Sequence, residues 1–399
     1  MTTVLISGAS IAGPALAYWL REYGFDVTVV EKAEALRGGG YPIDIRGTAL
    51  GVVERMGLMP RLREAHVDSR RLTFLNEDGS TVASLSPDAI AGGVEGRDLE
   101  VRRGDLAESL YSTIRDDVEF LFNDSLAALD DRGDAVDVTF RSGRRRTFDL
   151  VIGADGLHSG VRALAFGPEE QFHRYLGYCF AGFTMHNDFG LAHEGVLWST
   201  PGRGAALYAV GDSDTIFGFL NFTRPEPPFD AFRNPAAQRD LIAEVFAGDG
   251  WEIPRLVAAM RTADDLFFDI VSQIHLPRWS SGRVALVGDA AHAPSFLTGQ
   301  GSSTALVGAY VLAGELATHA DHTAAFAAYE QTARPFVEAN QALVTVGNAT
   351  MFPATPEALA ERNAGLRELT TLPVGPGRPE HSALVLPDFT GRRPAGSRA

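Results

Sequence analysis

The amino-terminal apolar pattern predicts a βαβ unit. Thr3–Ser7 (TVLIS) and Asp26–Val30 (DVTVV) are short apolar runs of the kind found in buried parallel strands. Between them, Pro14–Tyr23 has helical apolar spacing and stops before Gly24. Strand, glycine-rich turn, helix and strand in this order open an α/β domain with a parallel sheet.

The middle of the chain predicts a second domain. From about residue 175 to 275, short apolar and aromatic strands alternate with Gly, Pro and Asp turns, which is typical of an antiparallel sheet. Two earlier runs, Leu72–Leu75 and Thr81–Leu85, flank a turn as the strands of a hairpin do. We expect a discontinuous first domain of residues 1–72, 97–175 and 275–350, and a second domain of residues 73–96 and 176–274.

Helical patterns occupy other parts of the chain. Residues 48–66 predict a helix broken at Pro60, and Leu99–Tyr111 predicts another. Residues 302–319 and 323–350 predict two long helices, the second kinked at Pro335. Residues 351–399 are set apart as a carboxyl-terminal extension, and their Pro-, Gly- and Arg-rich end predicts an extended tail.

Composition narrows the class of protein. The 399 residues are 45% apolar, and their formal charge of 35 − 51 = −16 argues against nucleic acid or an anionic membrane as a partner. Because Cys179 is the single cysteine, neither a disulfide framework nor a cysteine metal cluster can form, and we expect no metal. The sequence shows neither a signal peptide nor an apolar run long enough to span a membrane. The absence of disulfides fits a reducing cytoplasm, so we expect a cytoplasmic protein. Its working form is expected to be a monomer or a homodimer.

The first turn carries a nucleotide-binding pattern. It reads Gly8-Ala9-Ser10-Ile11-Ala12-Gly13, with Ser10 at the third place of G-x-G-x-x-G. The first glycine allows the tight turn, and the last allows close packing of helix and strand. The helix amides that follow face a pyrophosphate. Glu31, at the end of the next strand, accepts hydrogen bonds from ribose hydroxyls and repels a 2′-phosphate, so the site suits FAD or NAD better than NADP.

Two later segments also place polar groups after strands. Asp149–Ser159 (DLVIGADGLHS) leads from a strand into the turn Asp155-Gly156. Arg283–Gly301 (RVALVGDAAHAPSFLTGQG) leads from a strand to Asp289, whose carboxylate can bind a ribityl hydroxyl, and the amides after Gly299 can point at a polarised carbonyl. NAD has no ribityl chain, so this segment favours FAD.

Taken together, GASIAG, DLVIGADGLHS and GDAAHAPSFLTGQG, in this order and spacing, resemble the FAD-dependent aromatic-ring hydroxylases, the p-hydroxybenzoate hydroxylase-like flavoprotein monooxygenases. The resemblance covers about residues 3–345 and is nearest to members that modify polyketides and tetracyclines. It implies a Rossmann-like FAD-binding domain whose parallel sheet carries a crossover β element. It also implies an α+β substrate domain with a mainly antiparallel sheet, and carboxyl-terminal helices.

The resemblance also implies cofactor contacts at matching positions. They are Gly8, Ser10, Ile11, Ala12 and Gly13 for the pyrophosphate, Glu31 and Lys32 for the adenosine, Asp44, Arg46 and Asp289 for the ribityl chain, Arg103 for the cofactor's backbone, Asp155 and Gly156 for FAD and NAD(P)H, and Gly299, Gly301 and Ser302 for the flavin pyrimidine. Without the matched segments, Arg46 and Arg103 would be read as solvated surface residues.

Some positions depart from the family pattern. Ser295 and Phe296 stand where many members have adjacent prolines, with Pro294 one place early, and Ser303 stands where many have Asn. These changes leave FAD binding as the expectation, but they argue against copying detailed substrate contacts from the family.

The implied reaction is carried by the cofactor. NADH or NADPH would reduce FAD, and O2 would then form a flavin C4a-hydroperoxide that hydroxylates an aromatic or polyketide-like small molecule. We assign no catalytic side chain, and expect a structural role for His292. Candidate phosphate contacts for transiently bound NAD(P)H are Arg37 and Arg46, and candidate substrate contacts are Tyr208, Phe217, Phe219, Pro294 and Phe296.

Other functions fit parts of the same pattern. The flavin could insert oxygen in a Baeyer–Villiger reaction, or the chain could be a flavin reductase or dehydrogenase. A flavin-dependent halogenase would carry W-x-W-x-I-P, but Asp249 precedes Trp251-Glu252-Ile253-Pro254 where the first Trp belongs. A non-enzymatic FAD-binding sensor would keep Glu31 and Asp289 but would not oxidise NAD(P)H.

Overall fold

The structure, a computed structural model, describes residues 1–36, 38–94, 96–232, 234–351, 353–370 and 377–389, except for the side chains of residues 348 and 349. The strands of this part of the chain are β1 (Thr3–Ser7), β2 (Asp26–Glu31), β3 (Pro42–Ile45), β4 (Arg71–Leu75), β5 (Thr81–Leu85), β6 (Leu99–Arg102), β7 (Glu119–Phe122), β8 (Leu126–Asp131), β9 (Val136–Phe140), β10 (Arg145–Phe148), β11 (Leu150–Gly153), β12 (His173–His186), β13 (Glu194–Thr200), β14 (Arg203–Ala209), β15 (Thr215–Thr223), β16 (Phe267–Ile274), β17 (Ser280–Ser281) and β18 (Val284–Leu286).

The helices lie between and after these strands. They are α1 (Ala12–Glu22), α2 (Thr48–Arg55), α3 (Met59–Glu64), α4 (Pro87–Ala91), α5 (Arg103–Ser112), α6 (Gly160–Ala165), α7 (Pro235–Val245), α8 (Ile253–Thr262), α9 (Asp289–His292), α10 (Gly301–Thr318), α11 (His322–Ala342), α12 (Val344–Met351) and α13 (Pro356–Leu369). No helix among the described residues is both long and apolar enough to cross a membrane.

A parallel sheet forms the first layer of the molecule. Its strand order is β17-β18-β11-β1-β2-β7, and only the β17–β18 pair is antiparallel. The register pairs Ser7 with both Val30 and Gly153, and Gly153 with Leu286. The carboxyl ends of β1, β2, β11 and β18 therefore meet at one edge of the sheet. The predicted βαβ unit is confirmed, with α1 beginning two residues before the predicted start. The antiparallel sheet β10-β9-β8 is the crossover element.

A seven-stranded sheet, β16-β12-β15-β14-β13-β4-β5, forms the second layer. It is antiparallel except between β13 and β4, and it contains the predicted hairpin β4–β5. One face packs on α7 and α8 through a second apolar core that includes Phe183, Leu220 and Leu256. The opposite face carries Phe180 beside Asn221, and Phe219 beside Gly182. Mixed sheets of this kind agree with the predicted fold class.

The predicted helix over Leu99–Tyr111 is wrong at its start. Leu99–Arg102 is β6, which pairs with β3 so that Val101 lies opposite Ile43, and α5 begins at Arg103. Leu99 and Val101 are buried in alternation, as a strand requires. Four residues are too few to distinguish this alternation from helical spacing, and the partner strand is about 55 residues away in sequence.

Two other helical predictions change in detail. Residues 48–66 form α2 and α3, separated at Gly57, and Pro60 lies in the first turn of α3, where its missing N–H is harmless. The second long helix ends at Ala342, contains Pro335, and is followed by α12. The extension forms α13, and its described end packs on the first core, where Phe389 is buried.

Candidate active site

The carboxyl edge of the parallel sheet brings the three sequence motifs together. Gly8 follows β1, Glu31 ends β2, Asp155 follows β11, and Asp289 follows β18. These four residues line one cavity of about 860 Å³, which continues to the aromatic face of the seven-stranded sheet. Ligands of open α/β sheets bind at this edge because the loops and helix N-termini converge there.

The glycine-rich turn is closely packed at both of its glycines. Gly8 has a φ of +108°, and a Cβ on it would lie 2.4 Å from the carbonyl oxygen of Ala154. A Cβ on Gly13 would lie 1.9 Å from the carbonyl oxygen of Gly8. Gly13 therefore serves the packing of α1 against β1 and does not line the cavity, whereas Ser10, Ile11 and Ala12 do.

Ser10 takes the middle position of the turn without disturbing it. Its Oγ accepts a hydrogen bond of 2.7 Å from Nη2 of Arg103, which also lines the cavity. The N-terminal end of α1 has no side-chain cap, so its first amides remain available for an anion. The departure from glycine thus connects the turn to a cation at the place where a pyrophosphate would bind.

Glu31 fixes the turn from the end of β2. Its two carboxylate oxygens accept backbone hydrogen bonds of 2.9 Å from Ala9 and Ala33. A carboxylate has about four lone-pair sites, so both oxygens keep capacity for ribose hydroxyls. Lys32 lies beside it on the cavity wall.

Asp289 follows β18 and lines the cavity. Burial raises its pKa above the ordinary value, and the charge of Arg103 acts in the opposite direction. The carboxylate accepts no hydrogen bond from the residues that the structure describes, so its oxygens are free for hydroxyl donors of a ligand. Next to it, Gly299, Gly301 and Ser302 line the cavity where α10 begins without a side-chain cap.

The loop between Asp289 and α10 explains the departure from the family's proline pair. Ser295 has a φ of +77°, in the left-handed region, whereas proline holds φ near −65°. Proline is therefore excluded at this position. Pro294 and Phe296 both line the cavity.

Asp155 and Gly156 line the cavity from the end of β11. Burial raises the pKa of Asp155, while hydrogen bonds from the Ser159 hydroxyl and the Val161 amide lower it. This carboxylate therefore mainly holds its own loop. Arg162, fully buried in the same segment, donates to the carbonyl oxygen of Ala290 (2.9 Å) and so connects this loop to α9.

Arg46 does not reach the cavity. Its guanidinium is 6% exposed and lies 2.8 Å from Asp44, 3.4 Å from Asp98 and 3.5 Å from Asp88. Arg46 is thus paired with three carboxylates and is not among the residues that line the cavity, whereas Asp44 is. The contacts of Arg46 with a nicotinamide nucleotide or a ribityl chain stay predictions. The other phosphate candidate, Arg37, lies outside the described residues.

The substrate candidates separate into two groups. Tyr208, Phe219, Pro294 and Phe296 line the cavity, whereas Phe217 does not, although it contacts Phe219 (6.5 Å between ring centroids). The Tyr208 hydroxyl donates a hydrogen bond of 2.7 Å to Oε1 of Glu100.

The structure adds aromatic residues that were not predicted as contacts. Phe180 lies between Phe219 (5.5 Å) and Phe296 (4.7 Å), while Phe267 and Tyr41 complete this wall. The pairing of β12 with β15 and β16 brings Phe180, Phe219 and Phe267 together, and a single sequence does not show that pairing.

His158 was also missed. It lines the cavity, with Nδ1 2.8 Å from Oε1 of Glu169 and Nε2 3.2 Å from Oδ1 of Asp269. Asp269 first and then Glu169 raise the pKa of His158 to about 9. The imidazolium thus connects the loop after β11 to the seven-stranded sheet. By contrast, His292 is buried against Trp279 (4.6 Å between centroids), and burial lowers its pKa to about 3, so it is neutral.

The cavity residues fit a flavin dinucleotide. The uncapped N-terminus of α1 and the glycine-rich turn suit a pyrophosphate. Glu31 can bind a ribose, and Asp289 offers a carboxylate that accepts no hydrogen bond from the described residues. Among the described residues, no group of three or more His, Cys, Asp or Glu could hold a metal ion. The fold and this site define a dinucleotide-binding flavoprotein.

Comparisons with known proteins identify the family. The FAD binding domain family matches residues 1–212 and 266–343. A flavin-dependent monooxygenase from an unknown prokaryotic organism is 39% identical over 363 residues, which cover 90% of this chain and 94% of that protein. An uncharacterized protein of Mycobacterium tuberculosis is 46% identical over 351 residues, covering 86% and 93%. The chain belongs to the FAD-binding family of flavin-dependent monooxygenases.

A solved structure agrees with this assignment. The crystal structure of tetracycline destructase Tet(55) superposes with a TM-score of 0.83 at 36% identity, covering 96% of this chain and 98% of that one. The predicted family, the two-sheet fold and FAD as cofactor are thereby confirmed.

Proposed function

We propose that this monooxygenase hydroxylates an aromatic or polyketide-like small molecule, using NADH or NADPH and O2. The observation that carries the proposal is the single cavity that joins the dinucleotide-binding edge to a wall of aromatic rings. Flat apolar walls with few polar groups favour a planar ligand. The similarity to a tetracycline destructase supports a polycyclic substrate.

Individual residues have proposed roles in holding FAD. Glu31 would bind the adenosine ribose, the turn Gly8–Ala12 with Arg103 the pyrophosphate, and Asp289 the ribityl hydroxyls. Gly301 and Ser302 would direct amides of α10 at the flavin pyrimidine. Bound FAD supplies the redox chemistry and the activation of O2.

The chain's own contribution is position and exclusion of water. Phe180, Phe219 and Phe296 would hold the substrate ring, and their apolar surface would keep water from the reacting edge. No acid or base is assigned. The Tyr208 hydroxyl already donates a hydrogen bond to Glu100, and His292 is neutral and is not among the residues that line the cavity.

The domain division is part of the same proposal. Residues 1–72, 97–175 and 275–350 would hold FAD, and residues 73–96 and 176–274 would select the substrate. A cytoplasmic location, with a monomer or homodimer as the working form, is proposed on the acidic charge and the single cysteine.

A screen tests the function. Phenolic and polycyclic compounds are added to the FAD-loaded protein, and NADH or NADPH oxidation is followed at the nicotinamide absorbance band. We expect some compounds to accelerate oxidation and to gain one oxygen atom by mass spectrometry. A ring-expanded product would instead indicate Baeyer–Villiger chemistry, and oxidation of the substrate without oxygen gain would indicate a dehydrogenase. No accelerated oxidation with any compound would contradict an enzymatic role.

A further inference from the structure

Two buried glutamines lie behind the loop between Asp289 and α10. Gln273 lies near the end of β16 and is 1% exposed, and Gln341 lies near the end of α11 and is 6% exposed. Neither side chain lines the cavity, whereas Pro294 on the loop does. Both carboxamide groups donate hydrogen bonds to backbone carbonyl oxygens of the loop, so the glutamines connect it to β16 and α11.

Gln273 holds the carbonyl oxygen of Pro294. Its Nε2 donates to this oxygen at 3.0 Å and to the carbonyl oxygen of Gln341 at 2.8 Å. Its Oε1 lies 3.0 Å from Nε2 of His275. Carbonyl oxygens only accept hydrogen bonds, so the nitrogen end of the carboxamide has to face the loop. Among the described residues, Gln273 supplies the one hydrogen bond to the Pro294 carbonyl oxygen.

Gln341 holds the part of the loop before Pro294. The two hydrogens of its Nε2 are shared among three carbonyl oxygens, those of Ile274 (2.9 Å), Ala293 (3.2 Å) and His292 (3.3 Å). Because α9 ends at His292, the carbonyl oxygen of that residue has no partner within the helix, and Gln341 supplies the donor. The Ala293 carbonyl oxygen also accepts from the Ile274 amide at 3.1 Å, so it would keep one partner without Gln341.

The peptide group held by Gln273 adjoins a strained residue. Ser295 has a φ of +77° and a ψ of 146°, which a residue with a side chain rarely adopts. Such a conformation persists only where the surrounding structure holds it. Gln273 fixes the peptide group before Ser295, and after it the amide (3.2 Å) and hydroxyl (3.0 Å) of Thr298 donate to the Ser295 carbonyl oxygen. The strained backbone is therefore held from both sides.

This strained turn, residues 294–296, sets two side chains on the cavity wall. Pro294 and Phe296 both line the cavity, and the Phe296 ring centroid lies 4.7 Å from that of Phe180. The turn lies between Asp289 and Gly299 in sequence, and both of these residues line the same cavity. It therefore borders the proposed flavin site as well as the aromatic rings, and a displaced turn would alter both.

We propose that Gln273 and Gln341 are positioning residues, which hold turn 294–296 where the flavin and the substrate ring meet. They touch neither FAD nor substrate and act through the carbonyl oxygens of Pro294 and Ala293. The proposal rests on the proposed function, because the place of the turn matters to catalysis only if a substrate ring is oxygenated beside it.

The expected consequence of losing either glutamine is uncoupling. A displaced turn leaves the substrate ring out of place and admits water to the reacting edge of the flavin. NAD(P)H and a proton then reduce O2 to H2O2 and leave NAD(P)+, and the substrate is unchanged. With the turn in place, the same NAD(P)H and proton carry one oxygen atom of O2 into the substrate, and the other leaves as water.

Asn340 offers a matched control within α11. It is a fully buried carboxamide beside Gln341 in sequence, and its Nδ2 donates to the carbonyl oxygens of Phe336 and Glu380, both at 2.9 Å. It therefore supports the carboxyl-terminal segment and not the turn. Gln273→Met and Asn340→Leu each remove a buried donor from two carbonyl oxygens, so a purely structural role predicts the same outcome for both.

The first readout is the visible circular dichroism of bound FAD, which needs no substrate. FAD-loaded wild type, Gln273→Met, Gln341→Met and Asn340→Leu are compared in the flavin absorption bands. We expect both glutamine variants to alter the flavin signal, and Asn340→Leu to keep the wild-type signal although its unfolding temperature also falls. Gln341→Met is the milder variant, because the Ala293 carbonyl oxygen keeps the Ile274 amide, and it decides the test if Gln273→Met does not fold.

The second readout is the product formed per NAD(P)H oxidised, with a compound that the screen shows the wild type to hydroxylate. We expect the ratio of hydroxylated product to H2O2 to fall about tenfold or more in both glutamine variants, because a small displacement of the reacting groups costs up to about 100-fold in rate. Asn340→Leu should keep the wild-type ratio.

Unchanged flavin signals in the glutamine variants would overturn the proposal, as would an equal change in Asn340→Leu. A changed flavin signal with an unchanged product ratio would also overturn it, because the turn would then not affect oxygen transfer. If the wild type hydroxylated no compound, the proposed function would fail on that result, and the flavin signals would still decide whether the glutamines position the turn.

Discussion

At the scale of single residues, the site is defined by what each charged group already contacts. Glu31 accepts two backbone hydrogen bonds, Arg46 is enclosed by carboxylates, and Asp289 has no hydrogen bond from the described residues. Glu31 and Asp289 were predictable because Glu31 ends the strand that follows the glycine-rich turn and its helix, and Asp289 lies within the motif GDAAHAPSFLTGQG. The state of Arg46 was not, because Asp88 and Asp98 approach it from another part of the chain.

Replacing Glu31 with Ala tests its double role. The amides of Ala9 and Ala33 would lose their acceptor, and the ribose would lose its carboxylate. We expect FAD to bind about tenfold more weakly or worse, since hydrogen bonds to a charged group are each worth about 1.5–3 kcal/mol. Flavin fluorescence titration measures the dissociation constant, with the exposed Glu64→Ala as a control. An unaltered constant would refute the role.

His158 predicts a pH effect on stability. Its pKa in the folded protein is about 9, raised by Asp269 and Glu169 above the unfolded value near 6.5. Its stabilisation is therefore fully present below about pH 6.5 and is lost as the pH rises through about 9. Because the side chain is 47% exposed, the contribution should not exceed about 1 kcal/mol.

Urea unfolding of the wild type and His158→Gln between pH 6 and 10 measures this effect. The difference in unfolding free energy should narrow as the pH rises through 9. A difference that stays constant over this range would show that the ion pairs with Asp269 and Glu169 do not stabilise the fold.

At the scale of elements, local patterns were reliable where one element follows another in sequence. The β1–α1–β2 unit, the β4–β5 hairpin and β18 were all predicted from short apolar runs. The strand β6 was missed because its partner β3 is far away in sequence. Phe180 was missed for the same reason, since it meets Phe219 only through the pairing of β12 with β15.

The contact between α1 and β1 depends on Gly13. A Cβ there would lie 1.9 Å from the carbonyl oxygen of Gly8, so Gly13→Ala must displace the helix from the turn. We expect a loss of about 1–3 kcal/mol in unfolding free energy, together with weaker FAD binding. Gly365→Ala is the matched control, because the space around Gly365 within α13 is open, and it should stabilise by about 0.5–1 kcal/mol. Equal stability of the two variants would contradict this packing.

At the scale of the whole molecule, one cavity depends on segments from both ends of the chain. The glycine-rich turn and the carboxylates lie at the ends of β1, β2, β11 and β18, and Phe180, Phe219 and Phe267 come from the seven-stranded sheet. The carboxyl-terminal residues also return to the first core, where Thr48 donates to the carbonyl oxygen of Leu384 and Phe389 packs against Tyr310. Composition alone predicted an extended tail there, because it does not reveal a docking site supplied by α2 and α10.

Phe389→Ala tests this return of the chain. The ring is 4% exposed, and it fills the space over Gly314. We expect a loss of about 3–5 kcal/mol in unfolding free energy, as for other buried phenylalanines. Val385→Ala, at a position that is 90% exposed, should cost little. Similar thermal unfolding temperatures for both variants would show that the segment does not hold the fold together.

The most direct test of the account is an equilibrium titration of FAD against the cofactor-free protein and Asp289→Asn. Asp289 lies more than 250 residues after Glu31, so its effect reports whether the cofactor site is assembled from both ends of the chain. We predict one FAD per wild-type chain and binding at least about tenfold weaker in Asp289→Asn, through the lost charge-assisted hydrogen bonds. Absence of FAD binding by the wild type, or identical dissociation constants for the two proteins, would contradict the account.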